Sequence, residues 1–157
     1  MRFNYAKEVD YMTNKEKFEY WLEVSEYDLD TARAMYESGR YLYVAFTCQQ
    51  SIEKITKGLF TLFTSKEPPR IHNIWQIFRA LKKEYELESV LDIESFNSEL
   101  NKHKFFFAEL LSYYISGRYP TYKESISTSI DTEKAKLLLS TTEEVFEWIK
   151  SLSQYKK

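Results

Sequence analysis

Apolar residues recur every three to four positions along most of the chain, and helix breakers divide this pattern into five predicted helices. The first starts near Thr13 and Asn14, with Glu16 and Glu19 by its positive N-terminal end. Its stripe runs Phe18, Trp21, Leu22, Ser25, Leu29, Ala32, Met35, Tyr36, and Gly39 after Ser38 suits a left-handed C-terminal cap. The second runs from about Tyr41 to Phe63. One stripe is Val44, Cys48, Ile52, Ile55, Leu59 and Leu62, and another is Leu42, Ala45, Phe46, Phe60 and Phe63. A helix apolar around so much of its circumference belongs at the centre of a bundle. Gly58 lowers its helical stability, so that position reads either as a close approach of a neighbouring helix or as a tolerated weak point. Pro68 and Pro69 force a break. The third helix is short, from an N-cap at Asn73 to Leu81 or Tyr85, with Ile74, Ile77, Phe78 and Leu81 inward. An acidic connector leads to a fourth helix over Ile93 to Ile115, with Phe96, Leu100, His103, Phe107, Leu110, Leu111 and Tyr114 on one face. Gly117 and Pro120 end it. Residues 119–130 are rich in Tyr, Ser and Thr and read as an extended loop. The fifth helix starts at Asp131 or Thr132 and carries Ala135, Leu138, Leu139, Thr142, Val145, Phe146, Ile149 and Leu152 inward.

The pattern therefore predicts an all-α fold, an up-and-down bundle of four to five helices, with the second helix the most buried. Residues 1–12 are expected to form a loose tail and residues 13–157 a single domain. Only 3 Gly and 3 Pro are present, too few for the turns of a β-sandwich and too scattered for a glycine-rich phosphate loop. Aromatic residues make up 17% of the chain, with 13 Tyr and 11 Phe, and Phe105, Phe106 and Phe107 cover more than one face of the fourth helix. A bundle core needs one stripe per helix, so the excess predicts a homodimer face. The single cysteine, Cys48, lies in an apolar stripe and reads as a buried core thiol. No internal disulfide is possible, no secretory apolar region follows Met1, and no apolar run approaches ~18 residues. The expectation is a cytoplasmic protein without a membrane span. His72, His103 and Cys48 match no zinc spacing, and Glu16, Glu19, Glu143, Glu144 and Glu147 lack the Glu-x-x-His partners of a di-iron site, so no metal is expected.

The formal charge is -2 and the pI about 5.8, which excludes a polycation with general affinity for nucleic acid. Its distribution is uneven. Between Gln50 and Lys83 the bases Lys54, Lys57, Lys66, Arg70, Arg79, Lys82 and Lys83 face only Glu53 and Glu67; between Glu84 and Glu99 there are acids alone. These stretches read either as solvated helix faces or as a basic face for an anionic ligand beside an acidic flank.

Three groups could bind such a ligand. Gln50, Glu53, Lys54 and Lys57 form a polar strip at i, i+3, i+4, i+7 on the most apolar helix, with Glu53 and Lys57 in favourable order for an ion pair. Arg70 and His72 ride a rigid turn into a helix N-terminus, a setting that suits phosphate and equally suits a local cap or a carboxylate pair. Arg118 and Tyr119 stand at the exit of the fourth helix, where the arginine can grip a phosphate or a helix C-terminus and the tyrosine can stack on a base. No residue qualifies as a catalytic nucleophile.

Five segments, in order, carry a family resemblance: Tyr27-Asp28-Leu29-Asp30-Thr31-Ala32; Gly39-Arg40-Tyr41; Gln49-Gln50-Ser51-Ile52-Glu53-Lys54 with Lys57; Pro68-Pro69-Arg70-Ile71-His72-Asn73; and Gly117-Arg118-Tyr119-Pro120. Over about residues 15–152 the chain resembles the HEPN family (higher eukaryotes and prokaryotes nucleotide-binding). The resemblance implies a helical bundle, often dimeric, associated with nucleotides, RNA or a partner minimal nucleotidyltransferase, as in a toxin–antitoxin-like module. Many members are metal-independent ribonucleases with Arg, then four to six residues, then His. No such pair exists here: one residue separates Arg70 from His72, and no histidine follows Arg118. The resemblance thus points to a non-catalytic nucleotide- or partner-binding domain. The alternatives are a ribonuclease toxin with a departed motif and a purely protein-interacting bundle.

Overall fold

The helices begin where side chains can satisfy their first backbone N–H groups. In the computed structural model, which describes residues 11–119 and 130–157, α1 (Asn14–Glu37) opens on a capping box: Thr13 Oγ1 accepts from the Glu16 N–H, and the Glu16 carboxylate accepts from the Thr13 N–H at 2.7 Å. Asn73 caps α3 (Ile74–Glu84), Asp92 caps α4 (Ile93–Lys102), and Asp131 caps α6 (Thr132–Leu152). The central α2 (Tyr41–Thr64) starts at Arg40 without a side-chain cap. Gly39 turns the chain between α1 and α2 at φ +71°, and Ser65 ends α2 at φ 60°. The predicted tail falls mostly, and the predicted loop after the fourth helix almost wholly, outside the described residues.

α2 lies at the centre and packs against α1, α3, α5 (Lys104–Arg118) and α6. Val44, Ala45, Cys48, Ile52 and Ile55 are wholly buried, as its two apolar stripes demand. The α1–α2 contact is close because Gly58 faces Trp21: a Cβ placed at Gly58 would stand 2.6 Å from Trp21 Cβ. This settles the reading of Gly58 as a helix approach. The Ser51 hydroxyl donates to the Ser25 carbonyl at 2.8 Å in the same interface, so a buried hydroxyl is satisfied between helices.

The fourth helix of the sequence reading is two helices. The chain leaves helical geometry at His103 (φ -97°, ψ 2°) between α4 and α5. Phe96 and Leu100 before the break and Phe107 and Leu110 after it all reach the core. The apolar period runs through the break, so the pattern carried no sign of it. Six α-helices result rather than four or five, with short 3₁₀ turns at Leu87–Ser89 and Ser153–Tyr155 and no strand among the described residues. No helix among them is long and apolar enough to cross a membrane.

Candidate functional site

A carboxylate on the central helix organises the site. Glu53 sits on α2 with its side chain 7% exposed, and a buried carboxylate must find partners. Lys57, one turn on, donates to Oε1 at 2.7 Å. Gln49, one turn back, donates to Oε2 at 2.8 Å, and the same amide nitrogen donates to the His72 carbonyl at 3.0 Å. Gln50 donates in turn to Gln49 Oε1 at 2.7 Å. His72 brings Nδ1 within 3.2 Å of Glu53 Oε1 and 3.3 Å of Oε2. A carboxylate accepts only, so the Nδ1 facing it carries the proton and Nε2 is left outside the pair. The Pro68-Pro69 turn delivers His72 to this position, and Gln49 and Glu53 tie it to α2 through backbone and ring.

α5 supplies the other wall. The Tyr114 ring lies 4.6 Å from the His72 ring, centroid to centroid, and stacks on Phe46 of α2 at 5.6 Å. Arg118, one turn beyond, places its guanidinium 5.3 Å from the centre of the Tyr114 ring and donates to the Tyr114 hydroxyl. His72 and Arg118 thus share one tyrosine, and both are solvent-exposed, His72 with 48% of its side chain. The α2–α3 turn and the C-terminal end of α5 therefore meet on one face.

The sequence-derived candidates divide accordingly. Glu53 joins Gln49, Lys57 and His72, Gln50 is joined through Gln49, and the Tyr114 ring meets both His72 and Arg118. Lys54 turns to α1, where its ammonium donates to Asp28 at 2.6 Å. Arg70 and Tyr119 lie exposed at the borders, on the turn and just past α5. Glu53 pairs with Lys57 and His72 rather than with Arg118. Sequence reasoning missed Gln49, Asp28 and Tyr114. Tyr114 was read as one more core residue of an apolar face, and it is indeed buried, yet its ring and hydroxyl also edge the site. Asp28 lay in the first segment of the family resemblance, which was the available signal.

The charges decide what this face can do. Glu53 and Lys57 neutralise each other, as do Asp28 and Lys54, leaving Arg118 and the proton-accepting His72 to meet solvent. Guanidinium and imidazole beside an aromatic ring suit a phosphate group. A histidine backed by a carboxylate can also take and return a proton. Among the described residues, no three His, Cys, Asp or Glu side chains group closely enough to hold a metal. Cys48 lies apart from the site, and burial pushes its thiol up to about 12. The cleft of about 360 Å³ between Phe18, Leu62 and Ser153 contains none of the site residues.

The sequence model of a family described as HEPN domain matches residues 18–152. No curated protein and no solved structure matches the chain.

Proposed function

The chain belongs to the HEPN domain family, and on that premise we propose that it binds a nucleotide or RNA phosphate on the face bearing His72 and Arg118. One observation carries this reading: two exposed groups able to hold a phosphate flank a single tyrosine, while Lys54 and Lys57 are consumed by internal partners. Arg70 extends the positive border, and Tyr119 offers a ring for a base. In this reading the domain is a non-catalytic companion of a minimal nucleotidyltransferase in a toxin–antitoxin-like module, acting in the cytoplasm as a homodimer. The family resemblance supports the companion role. The face of α5 bearing Phe105, Ala108, Ser112 and Ile115, exposed and without a charge, supports the dimer.

The test is calorimetry against ATP, GTP, UTP and a short RNA. The doubly substituted His72→Ala, Arg118→Ala protein should keep its helicity, because both side chains are exposed, and lose at least about tenfold in affinity, or ~1.4 kcal/mol. Lys54→Ala should bind as the parent does. Equal affinity in a folded double variant would refute the reading.

A second reading, RNA cleavage, is favoured by the buried Glu53 behind His72 Nδ1. His72 Nε2 would take the proton of a ribose 2′-hydroxyl, the 2′-oxygen would attack phosphorus, and the bond to the 5′-oxygen would break beside the charge of Arg118, the 5′-oxygen taking a proton from water. Incubation with labelled RNA in chelator distinguishes the readings. A 2′,3′-cyclic phosphate product lost in His72→Ala establishes cleavage, and intact RNA at full binding excludes it.

A further inference from the structure

His103 joins a cluster of rings to which no ligand role is assigned above. Phe78, Phe96, Phe107 and Trp148 lie in contact, with centroid separations between 5.7 and 6.1 Å for the pairs around Phe78 and between Phe96 and Trp148. The His103 imidazole joins them at 5.8 Å from Trp148 and 6.2 Å from Phe107. It is only 4% exposed, and its backbone forms the break between α4 and α5. Its Nε2 has no hydrogen-bond partner among the described residues, and Glu99 Oε2 stands 3.5 Å away.

α4 is lightly held. Its fully buried side chains are Phe96 and Leu100. Lys102 reaches Glu144 of α6 at 3.0 Å, and Lys82 of α3 reaches Asn97 at 2.8 Å, both at the exposed surface. Such surface ties contribute little. A short helix anchored by two apolar side chains is the kind of unit that opens below the global unfolding free energy.

We infer that the α4–α5 joint is an acid-sensitive latch: with His103 neutral, α4 lies closed on the ring cluster, and when His103 takes up a proton α4 is released and uncovers Phe78 and Trp148. Burial, first, and then neighbouring Lys102 hold the imidazole below its ordinary value of 6.5 in the closed form. Glu99 on α4 and Glu144 on α6 oppose this and do not overcome it. From α5 and α3 the cluster receives the uncharged rings of Phe107 and Phe78. The open form exposes the imidazole and restores the ordinary value. Open α4 therefore binds the proton more tightly than closed α4, so closure is fully favoured above about pH 6.5 and weakens as the pH falls below it, by up to about tenfold per unit until the closed form itself protonates.

Hydrogen exchange of the intact chain, corrected for intrinsic rates, tests this at pH 7.5 and 5.0. Protection of residues 93–102 should fall from pH 7.5 to pH 5.0, while α2 stays protected. His103→Gln, which cannot take up the proton, should remove the pH response. An unchanged α4, α4 and α2 failing together, or a response that survives in His103→Gln would each overturn the latch. Should His103→Gln not fold, imidazole titration of the parent protein by NMR joins the exchange data, because the chain has only one other histidine: a His103 value at or above 6.5 overturns the proposal, and one below it upholds the proposal together with a loss of protection at pH 5.0 in residues 93–102 but not in α2.

Discussion

Replacing Gly58 with alanine sets two effects of opposite sign against each other. Alanine in a helix interior is favoured over glycine by about 0.5–1 kcal/mol. Were Gly58 a tolerated weak point, the substitution would stabilise the protein by that amount. The new methyl group would instead meet Trp21 Cβ at 2.6 Å, Trp21 Cγ at 3.2 Å and Phe18 Cδ2 at 3.3 Å. Carbon atoms pack best about 3.5–4.0 Å apart, so the first contact must open by roughly 1 Å. Trp21 Cβ is bonded to its own backbone and cannot rotate away, so α1 must move off α2. Overpacking of this kind costs about 1–3 kcal/mol. The expected net result is a loss of about 1–2 kcal/mol, or about 2–8 °C in midpoint for a domain of this size. Urea and thermal unfolding followed by circular dichroism measure it directly. A variant as stable as the parent, or more stable, would refute the close-approach account, because helix propensity alone predicts that sign. Gly58→Val should be worse than Gly58→Ala, since its branches add volume at the same contact.

Two other substitutions address the site and the assembly. Glu53→Ala strips the partner from Lys57, whose side chain is only 12% exposed, and from Gln49, and should cost about 3–5 kcal/mol in urea unfolding; a loss under about 1 kcal/mol would show that the carboxylate does not organise this region. The parent protein should run as a dimer in light scattering at ~100 µM, well above a micromolar dissociation constant, and Phe105→Lys, at a position 84% exposed, should run as a monomer; a monomeric parent or a dimeric variant would exclude the α5 face.

Much of the fold was readable because it rests on local rules. The caps at Thr13, Asn73 and Asp131 and the turn at Gly39 depend on residues a few positions apart, and the structure places all of them as the sequence implied. The central place of α2 followed from its two stripes. The break at His103 escaped for a physical reason. A pattern of buried positions records which residues face the core, and that set is the same for one bent helix and for two helices joined by a single residue. No glycine or proline marks the joint, so only the backbone geometry at His103 reveals it.

The site was less readable, because ion pairing depends on side-chain reach between elements. Counted along the chain, the region from Gln50 to Lys83 is strongly basic, and Lys54 and Lys57 stood among the candidates for an anionic ligand. In the fold Lys54 meets Asp28 from another helix, Lys57 meets Glu53 on its own helix, and Lys66 meets Glu84. Each pair removes a positive charge that the sequence had offered. The i, i+4 spacing made the Glu53–Lys57 pair foreseeable; nothing in spacing joins residues 28 and 54, or 66 and 84. The same folding adds what spacing could not supply. His72 and Arg118 are distant in sequence, and both come to one tyrosine because Gln49 and Glu53 fix the α2–α3 turn while Tyr114 and Arg118 share the end of α5. With those lysines paired, the centre of the proposed site moves away from the lysine strip and onto the Tyr114 ring. That shift is why the decisive substitutions are His72 and Arg118 rather than the lysines, which the strip alone would have selected.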